Sequence, residues 1–210
     1  MPGAETAISL ADAHAPGADV LFWLKSRLLM LRRGAVNALA RGRPLRRVAL
    51  PANATLLADD EHPLYTLTNP RERALELGKV QNLRIAAAAV DGTVVAPGET
   101  FSFWRAAGRA TRAKGYVVGR ELRQGCMIPA VGGGVCQLTN ALSRVAHRAG
   151  MEIVERHSHS VQPEGFFIDP TTDATVFWNY IDFRFRSPRS VRIGATLTET
   201  TLVVRLDALP

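Results

Sequence analysis

Three consecutive glycines, Gly132, Gly133 and Gly134, stand directly before Val135 and Cys136. The apolar spacing that follows, Leu138, Leu142, Val145 and Ala149 with Gly150 behind them, predicts a helix from about Cys136 to Ala149. A cysteine at the opening of a helix meets free N–H groups and the positive end of the helix dipole, both of which favour a thiolate. Glycines admit positive φ and let a backbone come close to a bound molecule. Cys136 is therefore the candidate nucleophile. The competing reading is a small buried hydrophobe in the first helical turn. The glycine run tips the balance toward reactivity, on the expectation that packing alone does not call for such a loop.

A thiolate needs a base, and the chain has five histidines. His14 and His62 fall in segments that read as tail and connector, where they would be solvated. His147 is eleven positions from Cys136 on the same helix, roughly 16 Å at 1.5 Å per residue, too far to reach the thiol. His157 and His159 remain, two apart on a strand predicted over Met151 to Val161 and so on one face of it. A strand histidine across from a helix-opening cysteine is the arrangement of papain-like enzymes, in which a third polar group orients the imidazole. Asp173 is the first candidate for that group, with Asp182 and Asn179 behind it. The histidine pair also reads as a polar sheet edge, or as a zinc site completed by Cys136 or Cys126, although the spacing matches no structural zinc pattern. A Cys126–Cys136 disulfide would consume the nucleophile, and two cysteines are too few for a disulfide framework.

These residues need elements to hold them. Leu21, Leu24, Leu28, Leu31, Ala35 and Leu39 form a helical stripe over about Ala18 to Ala40. Residues 41–69, punctuated by Pro44, Pro51 and Pro63, read as a connector with a short strand at Arg47 to Leu50. A helix from about Arg71 carries Leu83, Ala86, Ala87 and Val90 on one face and stops at Asp91-Gly92. Thr93 to Ala96 and Thr100 to Trp104, around Pro97-Gly98, read as a β-hairpin with Phe101 and Phe103 on one side. Residues 105–134 read as loops. Ala174 to Arg186 alternates like a strand, and Val191 to Leu206 reads as a closing hairpin. The class is α+β: a single domain with a largely antiparallel sheet, a central helix opened by Gly-Gly-Gly-Val-Cys, and an N-terminal basic amphipathic helix. The expected organisation is a tail over 1–17, helix and connector over 18–63, and the main domain over 64–210.

The 210 residues are 47% hydrophobic and 21% charged, which excludes disorder, collagen and coiled coil. The net charge of +7 is mostly arginine, and it is local: residues 25–47 hold eight bases and no acid. The stripe and its charges read as a helix docked on its own domain, as peripheral contact of residues 18–47 with an anionic membrane, or, least favoured, as a nucleic-acid contact. The start of the chain has no basic region followed by an apolar core, and the run Val20 to Leu24 is far shorter than a membrane span. A cytoplasmic location, with or without membrane association, is the first expectation and the cell envelope the second.

The blocks Pro97-Gly98-Glu99-Thr100-Phe101-Ser102-Phe103, Gly132-Gly133-Gly134-Val135-Cys136-Gln137-Leu138, Glu155-Arg156-His157-Ser158-His159 and Asn179-Tyr180-Ile181-Asp182 resemble the VanW family. That family takes its name from an accessory protein of vancomycin-resistance clusters. The resemblance runs from about residue 64 to 196 and implies a cysteine L,D-transpeptidase-type activity on peptidoglycan peptide stems or a lipid-linked precursor. It implies Cys136 as nucleophile, His159 as base, and His157 or Asp173 in support. Gly132, Gly133, Gly134, Gln137, Arg156 and Asp182 would then line the substrate site, with no cofactor and no metal. Two rival readings stay open: a non-catalytic binding module for a wall precursor or D-Ala-terminated peptide, and a metal-binding regulatory protein.

Overall fold

A computed structural model describes residues 27, 28, 30, 31, 33–35, 45–66, 70–123, 126–159 and 169–210. The chain divides into two units, residues 1–42 and 43–210. In the first, every described residue is helical. The rest of the predicted helix over 18–40, and the tail over 1–17, lie outside the described residues.

The second unit holds the chemistry. Its main sheet is antiparallel, in the order β1 (Arg46–Arg47), β3 (Thr93–Val95), β9 (Val191–Leu197), β10 (Thr201–Ala208) and β2 (Thr55–Pro63). Period-two patterning makes β10 one-sided: Leu202, Val204 and Leu206 are buried, and Val203 and Arg205 alternate with them. Helix α1 (Arg73–Val90) packs on β9, and α3 (Cys136–Arg148) packs on β2 and β10. Leu83, Ala86, Ala87 and Val90 of α1 meet Leu138, Leu142 and Val145 of α3 in one core. Between the helices run the short helix α2 (Phe103–Ala107) and the hairpin β5 (Val118–Arg123) and β6 (Cys126–Val131). A second small antiparallel sheet has the order β4 (Thr100–Ser102), β8 (Arg184–Arg186) and β7 (Glu152–Glu155).

The α+β class, both long helices and the closing β9–β10 hairpin agree with the sequence reading. Several elements do not. The connector contains β2, nine residues of which eight pair with β10, so Arg46–Arg47 and Thr55–Pro63 belong to the sheet. Its Asp59, Asp60 and Glu61 disguised it, yet charge on an edge strand guards against edge-to-edge pairing. Residues 93–104 are not a hairpin. Gly98 donates to the carbonyl of Ser187 at 2.7 Å, and the turn hands the chain from the main sheet to the small one. The predicted strand from Ala174 shrinks to β8, because Asn179 takes φ +53° and closes a tight turn between Phe177 and Ile181. The predicted strand from Met151 stops at Glu155, where its three-residue partner β8 runs out. The loop-like stretch over 105–134 contains the β5–β6 hairpin, in which arginines, Gly119 and Pro129 hide the alternation.

Three backbones cross where no side chain fits. A Cβ on Gly78 would stand 2.0 Å from the Val118 carbonyl oxygen, one on Gly119 2.6 Å from that of Gly133, and one on Gly133 2.5 Å from that of Gly119. Asn82, fully buried, clamps the crossing: its Nδ2 donates to the carbonyls of Gly133 (2.9 Å) and Val117 (3.0 Å), and its Oδ1 accepts from the Val117 N–H (2.9 Å). Gly133→Ala is expected to destabilise the protein by about 3 kcal/mol or prevent folding, since backbone must move. Gly150→Ala, at φ +68° in open space, should cost about 1–2 kcal/mol of left-handed strain. Urea denaturation of the two variants checks the contrast.

Candidate functional site

Helix α3 begins at Cys136 immediately after the glycine crossing, so the position of its first turn follows from that packing. Cys136 is a half-buried free thiol, with its Sγ 3.6 Å from Thr175 Oγ1. Residues 173–175 are docked on the same helix. Asn140 Oδ1 accepts from the Ala174 N–H at 2.6 Å, and buried Thr139 donates its hydroxyl to the Ala174 carbonyl. The neighbouring Thr175 N–H donates to the His157 carbonyl at 2.8 Å. One helical turn thus carries the cysteine and seats the segment holding Asp173.

Asp173, 1% exposed, faces His159: the imidazole Nδ1 lies 2.8 Å from Oδ1 and 3.0 Å from Oδ2, and the His159 backbone N–H donates to Oδ2 at 2.7 Å. With Nδ1 engaged, Nε2 is the ring nitrogen left to act on the Cys136 thiol, which lines the same cleft. Burial pulls the His159 pKa down, but the hydrogen bonds to Asp173 and then Cys136, with their charges, outweigh it and push it up to about 10. Asp173 is shifted the other way: burial raises it, and its bonds to His159 and the charge of Arg156 hold it below the usual carboxylate range.

The structure therefore brings Cys136, His159 and Asp173 together and leaves His157 out. The two histidines do not share a strand face, because the strand ends before both. His157 is half exposed and sits 3.6 Å from Glu155, while the His159 side chain is 7% exposed. Among the described residues no group of three His, Cys, Asp or Glu is placed to hold a metal ion. Arg156 is used internally: its Nη1 donates to the carbonyls of Asp173 (2.7 Å) and Pro170 (3.0 Å), bracing the segment that carries the acid. Asp182 is a buried hub away from the cleft. It accepts from Ser102 Oγ (2.6 Å), the Trp104 and Phe183 N–H groups and Arg184 Nε (2.7 Å), locking the small sheet to α2. Gly132 and Gly133 are buried too, and the expectation that packing does not call for the glycine run is overturned by the crossing they make.

Gly134, Cys136, Gln137 and His159 line an open cleft of about 460 Å³, with Asn140 and Arg144 of α3. The Gln137 side-chain amide is tied to the Pro63 carbonyl at 2.9 Å. Sequence reasoning missed four contributors to this site. Thr175 touches the sulfur. His62, expected in a solvated connector, lines the cleft from β2, with its pKa lowered by burial and by Arg144 against the opposing pull of Asp60. Lys79 of α1 and Arg120 of β5 line it as buried cations. Only Lys79 left a trace in the sequence, as a charge in the apolar stretch of α1.

The raised His159 pKa sets the sign of a pH effect. The folded state holds this proton up to about pH 10, whereas an unfolded histidine releases it near 6.5. The stabilisation is full below 6.5, declines above it and is gone past 10. Asp173→Asn should therefore lower the melting temperature more at pH 6 than at pH 10. Scanning calorimetry of both proteins at the two values checks this.

Comparison with known proteins matches residues 78–206 to the model of the family described as VanW like protein. The chain is 30% identical over 161 residues to the Vancomycin B-type resistance protein VanW of Enterococcus faecalis (strain ATCC 700802 / V583), a match covering 73% of this chain and 58% of that protein. It is 42% identical over 106 residues to the Uncharacterized protein YoaR of Bacillus subtilis (strain 168), covering 50% of this chain and 34% of that one. The chain thus corresponds to only part of each relative's length. No solved structure matches it. With the family model spanning more than half of its residues, the chain belongs to the VanW family.

Proposed function

We propose that this VanW-family domain is a cysteine acyl transferase or hydrolase acting on peptide stems of cell-wall material, an L,D-transpeptidase-type reaction. The observation that carries the reading is a single imidazole bonded on Nδ1 to a buried carboxylate and lining one cleft with a free thiol at a helix start, a thiol near enough to raise its pKa. Asp173 fixes the ring orientation and holds the imidazolium, which can hand a proton to a leaving group. The link of the Enterococcus relative to vancomycin resistance supports a wall substrate.

In the first half-reaction the Cys136 sulfur attacks the amide carbonyl carbon and a C–S bond forms. N–H groups of Gly134 to Cys136 are the proposed oxyanion donors, since that of Gln137 already donates to the Gly134 carbonyl at 3.1 Å. The C–N bond breaks as His159 gives its proton to the leaving amine, leaving a thioester on Cys136. In the second half an amine or water attacks the thioester, His159 takes its proton, and C–S cleavage frees the thiolate.

Release of D-alanine from a peptide ending in that residue is the assay. Cys136→Ala should abolish it, and His159→Ala should slow it by roughly 10²–10⁴-fold. Intact-mass spectrometry should trap the acylated protein in wild type and not in Cys136→Ala. Peptide binding that survives with no acyl-enzyme and no release in wild type would instead mark the domain as a binding module.

A further inference from the structure

The cleft contains two buried cations that the triad does not use. Lys79 and Arg120 are 3% and 7% exposed, and both line the cleft beside Cys136 and Gln137. Among the described residues, Lys79 Nζ and Arg120 Nη1 have no hydrogen-bond partner. The other arm of the guanidinium, Nη2, donates to Thr66 Oγ1 at 2.6 Å and so fixes its orientation. Glu76 Oε1 is 4.0 Å from Lys79 Nζ, beyond hydrogen-bond reach, and accepts the Thr66 N–H at 2.7 Å instead. Burying donors without acceptors costs free energy, and buried cations without a bonded counter-charge cost more. Structure alone does not require this arrangement, since an apolar side chain of the same length would fill the space of Lys79.

We infer that Lys79 and Arg120 form a carboxylate-binding site in the wall of the Cys136 cleft, whose ligand is the C-terminal carboxylate of the peptide substrate. The charge count favours a monoanion. Two buried cations face the one buried carboxylate of Glu76, leaving a single positive charge. Glu72 and Glu121 are also near but only half-buried, where solvent screens them. Burial first, and then the charge of Arg120, lower the Lys79 pKa to about 8 against the pull of Glu76, so the amine remains largely charged at neutral pH.

Placement links the site to the chemistry. A Cβ on Gly134 would stand 2.2 Å from Lys79 Cγ, so the lysine stem lies against the loop two residues before the nucleophile. A substrate anchored there by its terminal carboxylate presents its last peptide bond to Cys136. The bond broken is then the amide to the C-terminal residue. The leaving group is a free amino acid whose amine takes the His159 proton, and internal bonds of longer chains are spared. This rests on the thiol acyl-transfer reading for the identity of the substrate; the carboxylate site itself does not.

The test uses the full chain carrying Cys136→Ala, so that nothing turns over, and an N-acetylated tripeptide ending in D-alanine, as free acid and as C-terminal amide. Calorimetry should show the acid binding at least about tenfold more tightly, the worth of a charge-assisted contact. Lys79→Met and Arg120→Lys in that background should each shrink the difference. Lys79→Met leaves the buried Glu76 carboxylate with Arg120 as its remaining cation, so a melting scan of each variant accompanies the binding data to show that it is folded. Equal binding of acid and amide by the Cys136→Ala protein, which needs no buried substitution, overturns the site. So does displacement of the peptide by sodium phosphate at a concentration where sodium acetate has no effect. If wild type releases D-alanine from the acid and D-alaninamide from the amide equally fast, the carboxylate site fails while the acyl-transfer reading stands. Acid-selective binding without turnover in wild type has the reverse meaning.

Discussion

The site depends on a backbone crossing. Gly78 of α1, Gly119 of β5 and Gly133 of the loop before α3 approach so closely that a methyl group on any of them would meet a carbonyl oxygen within 2.0–2.6 Å. Asn82 satisfies three of the backbone groups at that crossing, so the contact is hydrogen-bonded as well as close. Since α3 starts three residues after Gly133, this contact sets where the Cys136 thiol stands. The same contact lays the Lys79 stem along Gly134, so one packing constraint positions both the Cys136 thiol and the neighbouring cation.

From that anchored helix the remaining chemistry is assembled by hydrogen bonds between segments distant in sequence. Thr139 and Asn140 hold Ala174 by both of its backbone groups, which fixes Asp173 on one side and Thr175 on the other. Arg156 ties the strand end to the carbonyl of Asp173, and Asp173 in turn holds both the ring and the backbone of His159. Burial alone would leave His159 neutral. The carboxylate and thiol against it reverse that, and the shift to about 10 measures how far the arrangement favours an imidazolium.

Legibility in the sequence followed how local each signal was. Helix α3 and its cysteine were readable because apolar spacing, a glycine run and a terminal glycine lie within nineteen consecutive residues, 132–150. Residue type points to the His159–Asp173 pair, but a strand with two histidines on one face does not exist, because β7 ends at Glu155. His157 reads as the equal of His159 in sequence and is separated from it only by where β7 ends. Asp182 and Gly133 look like substrate contacts in sequence because polar and glycine residues at a motif look functional. Their partners turn out to be the protein's own backbone and side chains.

By itself, the sequence determined the family, the α+β class, the two long helices and the cysteine that opens the second of them, all of which are written in short-range periodicity and compact motifs. Tertiary structure decided which histidine meets the sulfur, that β2 completes the sheet, and that Lys79 and Arg120 flank the cleft. Those outcomes depend on contacts between separate elements, from 14 positions apart for His159 with Asp173 to 51 for Asn82 with Gly133. A linear pattern carries periodicity along one element, but a pairing across elements exists only once the chain has closed the loops between them.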